Sequence, residues 1–164
     1  MQHIRKILLS FLLLSLVLSL TACNRQDNFL SWNAPPLSFI GEYEENGVRF
    51  TARFSAEGDQ LCAAILSPDD AAGVSFCMKK GICTVTYGDH TEQINTVPAP
   101  ICRFLLLYPE APVLSQVVRD GNARLVYVSG RDGSYCYRFE EGSLPTSVTA
   151  ETESGFLSLT IRSE

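Results

Sequence analysis

Cysteine is the residue type with the widest chemical reach in this chain. The six cysteines stand at positions 23, 62, 77, 83, 102 and 136. Thiolates can ligate a metal, exchange disulfides or act as nucleophiles. Metal ligation needs clustered donors, ordinarily a C-x-x-C pair backed by a second pair of Cys or His. No C-x-x-C pair occurs here and no cluster of histidines accompanies the cysteines, so no metal site is expected. Cross-linking is better served. Cys77 and Cys83 flank Lys79-Lys80-Gly81, which suits a three-residue hairpin loop with Gly in the left-handed position. That register sets Cys77 opposite Cys83 with Cβ atoms about 4.5–5.5 Å apart, which makes them the candidate disulfide. In the competing reading Cys62, Cys77, Cys83, Cys102 and Cys136 are all small apolar core residues.

The remaining inventory speaks against catalysis. The two histidines are His3 and His90, and His90 follows Gly88-Asp89 as an exposed turn residue, with pairing to Asp89 or Glu92 as the alternative. No G-x-S-x-G, H-E-x-x-H or phosphate-cradling glycine loop appears. The acidic pairs Asp69-Asp70 and Glu140-Glu141 fall in turns and read as solvated charge. A carboxylate-only site follows no sequence spacing and stays open on this ground. The expectation is a non-enzyme with no catalytic residues and no cofactor. The formal net charge is −5 and no Lys/Arg cluster occurs, so no nucleic-acid partner is expected.

Residues 1–22 read as an address. Arg5 and Lys6 precede an apolar run from Ile7 to Leu20. Fourteen helical residues span about 21 Å, short of the ~30 Å hydrocarbon core, so the run suits a signal-peptide core better than a membrane span. Leu20-Thr21-Ala22-Cys23 resembles the lipobox of bacterial lipoproteins. The resemblance implies cleavage before Cys23, a diacylglycerol thioether on its sulfur and an acylated, palmitate-type anchor. Two acyl chains anchor stably where one does not. The expected location is therefore the extracytoplasmic side of the cell membrane, held by lipid. Residues 23–37 read as a flexible tether, stiffened at its end by Pro35-Pro36, with the sole tryptophan, Trp32, expected to dock on the domain or to meet lipid or a partner.

The elements that must position everything else lie in residues 38–164. Phe39, Gly41 and Tyr43 alternate up to a hairpin turn at Asn46-Gly47, and Val48, Phe50, Ala52 and Phe54 alternate beyond it. Leu61–Leu66 is apolar on both faces, as in a strand covered on both sides. Segments 74–78 and 82–87 continue the pattern, and strands resume at 124–129, 135–139, 147–152 and 156–162. The period changes between Pro98 and Gly121. Ile101, Phe104, Leu105 and Tyr108 follow helical spacing, and Val113, Leu114, Val117 and Val118 read as a second short helix. The expected fold is α+β: one antiparallel sheet of about nine strands with two short helices on one face.

The order A-G-V-S-F, V-T-Y-G, a helical break, then D-G-S-Y-C-Y-R-F and S-L-P-T-S-V resembles the LolA/LppX-type envelope lipoproteins and carriers. That resemblance implies a strongly curved, unclosed sheet, a half-barrel with its helices on the concave side. It implies two functions. The domain is an accessory module that docks on an envelope protein, as do similar lipoproteins that sense envelope stress or support cortex-processing amidases. Alternatively it holds a lipid or other hydrophobic ligand in the concave face, lined by Phe50, Phe54, Leu61, Ile65, Phe104 and Leu105. The partners expected are the membrane, through the anchor, and an envelope protein or hydrophobic ligand.

Overall fold

Alternating side chains generate a sheet, and the turns between them fix its order. The computed structural model describes residues 30–153 and 155–162. The signal segment, Cys23 and the start of the tether lie outside the described residues. Among the described residues the strands are β1 (Leu37–Glu45), β2 (Val48–Glu57), β3 (Gln60–Ser67), β4 (Ser75–Lys79), β5 (Ile82–Tyr87), β6 (His90–Ile94), β7 (Val113–Asp120), β8 (Ala123–Ser129), β9 (Gly133–Phe139), β10 (Ser147–Thr152) and β11 (Gly155–Arg162), with one α-helix, α1 (Ala99–Leu105). They form a single eleven-stranded sheet in the order β6-β5-β4-β3-β2-β1-β11-β10-β9-β8-β7. Every pairing is antiparallel. Two meanders thus meet at β1 and β11, where Gly41 opposes Ile161 and an Arg162–Glu42 ion pair at 2.8 Å crosses the seam.

This order places β6 and β7 at opposite edges, although they are consecutive strands. Eleven strands about 4.8 Å apart would make a flat sheet about 48 Å wide. Residues 95–112 include the seven residues of α1. Counted as that short helix plus extended chain they span at most about 48 Å, and only if drawn taut. The sheet therefore has to curl, and the connection crosses its inside. Helix α1 packs on β3, β4 and β11, on both sides of the β1–β2 pair. Its start is set by Pro98 in extended conformation and Pro100 in the first turn, where a missing N–H leaves no helical bond unmade.

Three expectations change here. The segment read as a second helix is strand β7, with a bulge between Leu114 and Gln116. The strand count rises to eleven because β7 and the polar β6 (His90-Thr-Glu-Gln-Ile94) both pair. The candidate disulfide Cys77–Cys83 is replaced by Cys62–Cys77, which joins β3 to β4, and Cys83 is free. The reason is the length of one turn. Lys79 opposes Ile82, so the loop is two residues, Lys80 (φ 51°) and Gly81 (φ 77°), the left-handed pair of a tight hairpin. Cys77 then faces Thr84, Met78 faces Cys83, and the two sulfurs stand on opposite faces of the sheet.

The core occupies the concave face. Phe39, Phe54, Phe104, Tyr137, Val148 and Leu159 are fully buried there. Gly41 makes room for them. A Cβ at that position would stand 2.7 Å from Phe54 Cε2 and 2.8 Å from Leu159 Cδ1, closer than side chains pack.

Candidate functional site

The concave face is where the fold brings the expected lining residues together, and it brings them together as core. Phe104 reaches inward from α1 and meets Phe54 of β2 at 5.3 Å and Phe39 of β1 at 5.6 Å, while Phe39 stacks on Phe54 at 5.1 Å. These edge-to-face and offset contacts are the arrangements aromatic rings prefer. Phe54 and Phe104 are fully buried and Ile65 nearly so. Phe50, Leu61 and Leu105 are half-buried at the margins, with Phe50 stacked on Tyr43. The clefts of roughly 420–490 Å³ at Gly142–Thr146, at the β1–β2 tip beside Cys102 and between Asp120 and Arg138 are not lined by any of these six side chains.

The other half of the concavity is closed from outside the sheet. Ser31–Asn33 form a 3-10 turn, and Trp32 packs edge-on against Tyr137 and Phe139 of β9 at 5.4 and 5.9 Å. Asn33 donates its side-chain amide to the Leu107 carbonyl. Tyr137 donates its hydroxyl to the Leu106 carbonyl at 2.9 Å. The last turn of the crossing segment is thus held by β9 and by the end of the tether together. The sequence marked Trp32 as out of place in a solvated linker. It did not mark Tyr137 or Phe139, which alternation alone cannot distinguish from any inward residue.

The most polar feature of the interior is Arg103, only 7% of whose side chain is exposed. Its Nη2 donates to Glu45 Oε2 at 2.6 Å and to the Glu44 carbonyl at 3.1 Å, and the guanidinium lies 5.8 Å from the Tyr43 ring centre. Its Nε is buried without a hydrogen-bond partner. Burial pushes the Tyr43 phenol up to about 12, with Arg103 opposing and Glu45 adding to the rise. Arg103, Glu45, Cys102 and the outward Phe156 line a cleft of about 490 Å³ at the tips of the β1–β2 and β10–β11 hairpins. The pair Glu44-Glu45 beside an otherwise apolar helix carrying one Arg was the readable sign of this contact.

The remaining candidates stay apart. His90 and Glu92 lie exposed on β6, with Asp89 exposed in the turn before it. Asp120 and Glu140 both hold Arg138, at 3.3 and 3.1 Å, and their carboxylates keep its guanidinium charged. Among the described residues no group of three or more His, Cys, Asp or Glu side chains is placed to hold a metal ion. No helix among them is long and apolar enough to cross a membrane.

No protein-family model matches the chain, and no curated protein matches its sequence. Solved structures are similar in fold. An uncharacterized conserved protein from Thermus thermophilus superposes with a TM-score of 0.52 at 12% identity, covering 82% of this chain and 80% of that one. A LolA superfamily protein from Nitrosomonas europaea gives 0.45 at 14%, over 78% and 70% of the two chains. The Mycobacterium tuberculosis lipoprotein LppX gives 0.40 at 12%, over 81% and 88%. A LolA superfamily protein and LppX are thus among the structural neighbours. At such identities the likeness is one of fold alone.

Proposed function

We propose that this chain is a lipid-anchored extracytoplasmic lipoprotein whose domain works through its surface, as a non-catalytic accessory or partner-binding module of the cell envelope. The observation that carries this reading is the filled concave face. Helix α1 and its Phe104 occupy the place where a carried ligand would lie, packed between Phe39 and Phe54. The export half of the reading has two independent supports. One is the lipobox-like Leu20-Thr21-Ala22-Cys23. The other is the Cys62–Cys77 disulfide, a bond that persists in oxidising compartments and is rare in the cytosol. The exposed apolar side chains Val113 of the edge strand β7 and Tyr127 of β8, which share the face opposite the buried Val126 and Val128, favour a surface function.

Two experiments test the two halves. Cys23→Ala should leave the protein unprocessed or release it from the membrane fraction, and a variant processed and sedimenting like the wild type would exclude the anchor. The protein purified from membranes should then be extracted with organic solvent and the extract examined by mass spectrometry. Only the anchor's own acyl chains are expected. A stoichiometric second lipid would transfer the assignment to ligand carriage.

A further inference from the structure

Arg119 and Arg124 stand directly opposite each other across the β7–β8 hairpin. Asp120 and Ala123 close that two-residue turn, so the next pair along is the one without backbone hydrogen bonds, where side chains come closest. Like charges opposed in this way, with Cβ atoms about 5 Å apart, destabilise a sheet. Both side chains are exposed. The ion pairs among the described residues engage Lys79, Arg103, Arg131, Arg138 and Arg162, and neither Arg119 nor Arg124 is in one. Asp120 gives no relief. It alternates to the convex face, where Arg138 holds it at 3.3 Å.

The pair belongs to the concave rim on which the tether ends. Arg124 opposes Phe139, and its guanidinium lies 4.6 Å from the centre of that ring. Trp32 packs on the same ring at 5.9 Å. Val117 shares this face with Arg119, opposite Val126, and is 51% exposed. Two cations, an open apolar side chain and a tryptophan, a residue enriched at membrane–water interfaces, thus share one rim. The other ends of the strands are acidic. Glu44 and Glu151 near the β1–β2 and β10–β11 turns, Glu153 within the latter, and Asp69 and Asp70 beyond β3 are all exposed.

Chain length decides what meets the rim. Trp32 is nine residues after Cys23, and nine extended residues reach about 32 Å at most. We propose, resting on the anchor inferred above, that Arg119 and Arg124 dock this rim on the anionic phosphates of lipid headgroups around the anchor. A phosphate accepts hydrogen bonds from both guanidiniums and removes the repulsion between them. The acidic strand ends are then turned away from the bilayer, and the convex face with Val113 and Tyr127 is left to a protein partner.

Trp32 is the only tryptophan, so energy transfer from it to dansyl-phosphatidylethanolamine reads how close the rim stands to the bilayer. The acylated full chain, purified from membranes, is reconstituted on phosphatidylcholine vesicles with and without phosphatidylglycerol. Transfer should rise with phosphatidylglycerol and fall again in sodium chloride. Each arginine near an anionic surface shifts the docked-to-undocked ratio about fivefold, so Arg119→Gln with Arg124→Gln should lower it about 30-fold. Arg119→Lys with Arg124→Lys keeps the charge and should keep most of the transfer, which separates docking from any loss of fold. Equal transfer on both vesicles, or the Gln and Lys variants behaving alike, would overturn the proposal. Sodium phosphate that displaces the rim more than chloride at equal ionic strength would also overturn it, in favour of a free-phosphate site. Flotation reads the anchor separately. A chain that floats on neither vesicle has no anchor, and the docking falls with it, whereas one that floats on both with equal transfer is anchored but undocked.

Discussion

Phe104 is fully buried and brings α1 onto two strands of the first meander, β1 and β2. Truncation to alanine removes ring contacts to Phe39, Phe54 and Tyr108. We expect a loss of about 3–5 kcal/mol, the range for a buried Phe, read as a fall in the urea midpoint. A shift near zero would mean the helix is not core. Glu45→Ala acts differently, because it strips the carboxylate from a buried guanidinium. Glu45 is itself partly exposed, so water replaces some of the lost interaction, and about 1.5–3 kcal/mol is expected. Tyr43 adds a pH dependence with a definite sign. Its phenol is raised from 10.0 to about 12, and burial raises Tyr135 and Tyr137 as well. Each favours the neutral form in the folded state. Their contribution is therefore complete below about pH 10 and is lost as pH rises through the folded values. Urea midpoints should be level up to about pH 9 and fall beyond it. The share of tyrosinate absorbance that belongs to Tyr43, Tyr135 and Tyr137 should then appear together with loss of the circular dichroism signal.

At the scale of elements, the disulfide and the bulge explain what the sequence disclosed and what it concealed. Closing residues 62–77, a separation of 15, should contribute about 3 kcal/mol through the unfolded chain. Cys77→Ser should lower the melting temperature, and dithiothreitol should lower that of the wild type but not of the variant. Which cysteine pairs with which was not legible, because a two-residue turn and a three-residue turn are both compatible with Lys79-Lys80-Gly81 and differ by one position. One position exchanges the faces. Strand β7 was concealed by a second one-residue effect. The bulge at Ser115 puts Leu114 and Val117 opposite Val128 and Val126, on one face. It likewise puts Val113 and Val118 opposite Ser129 and Leu125, on the other. A spacing of three on one face is a helical interval, so a bulged strand imitates a helix in projection. Strand β6 was hidden for a plainer reason: a solvated edge strand with no apolar alternation has no periodic signal. The nine strands with turn residues at both ends, and a buried helix after Pro98, were legible because local turn chemistry and side-chain period agreed. The lining residues were recognised as inward, but whether inward means core or cavity depends on what fills the opposite side.

At the scale of the molecule, the question is whether two meanders joined at one seam behave as one body. The seam itself is short, with Ile40, Gly41 and Glu42 paired to Arg162, Ile161 and Thr160. The crossing segment adds what the seam lacks. Phe104 rests on β1 and β2, and Leu106 and Leu107 accept hydrogen bonds from Tyr137 of β9 and from Asn33. Trp32 then lies on Tyr137 and Phe139, against the second meander. Contacts that tie every part to a common segment favour all-or-none unfolding. Trp32 is the only tryptophan, so its fluorescence reports that second meander alone, while far-ultraviolet circular dichroism reports the whole sheet. The two signals should melt at one temperature, and Phe104→Ala should lower both by the same amount although it touches only the first meander and the helix. A tryptophan transition that precedes the sheet's, or one that stays put in Phe104→Ala, would show that the halves unfold separately and that the crossing segment does not couple them.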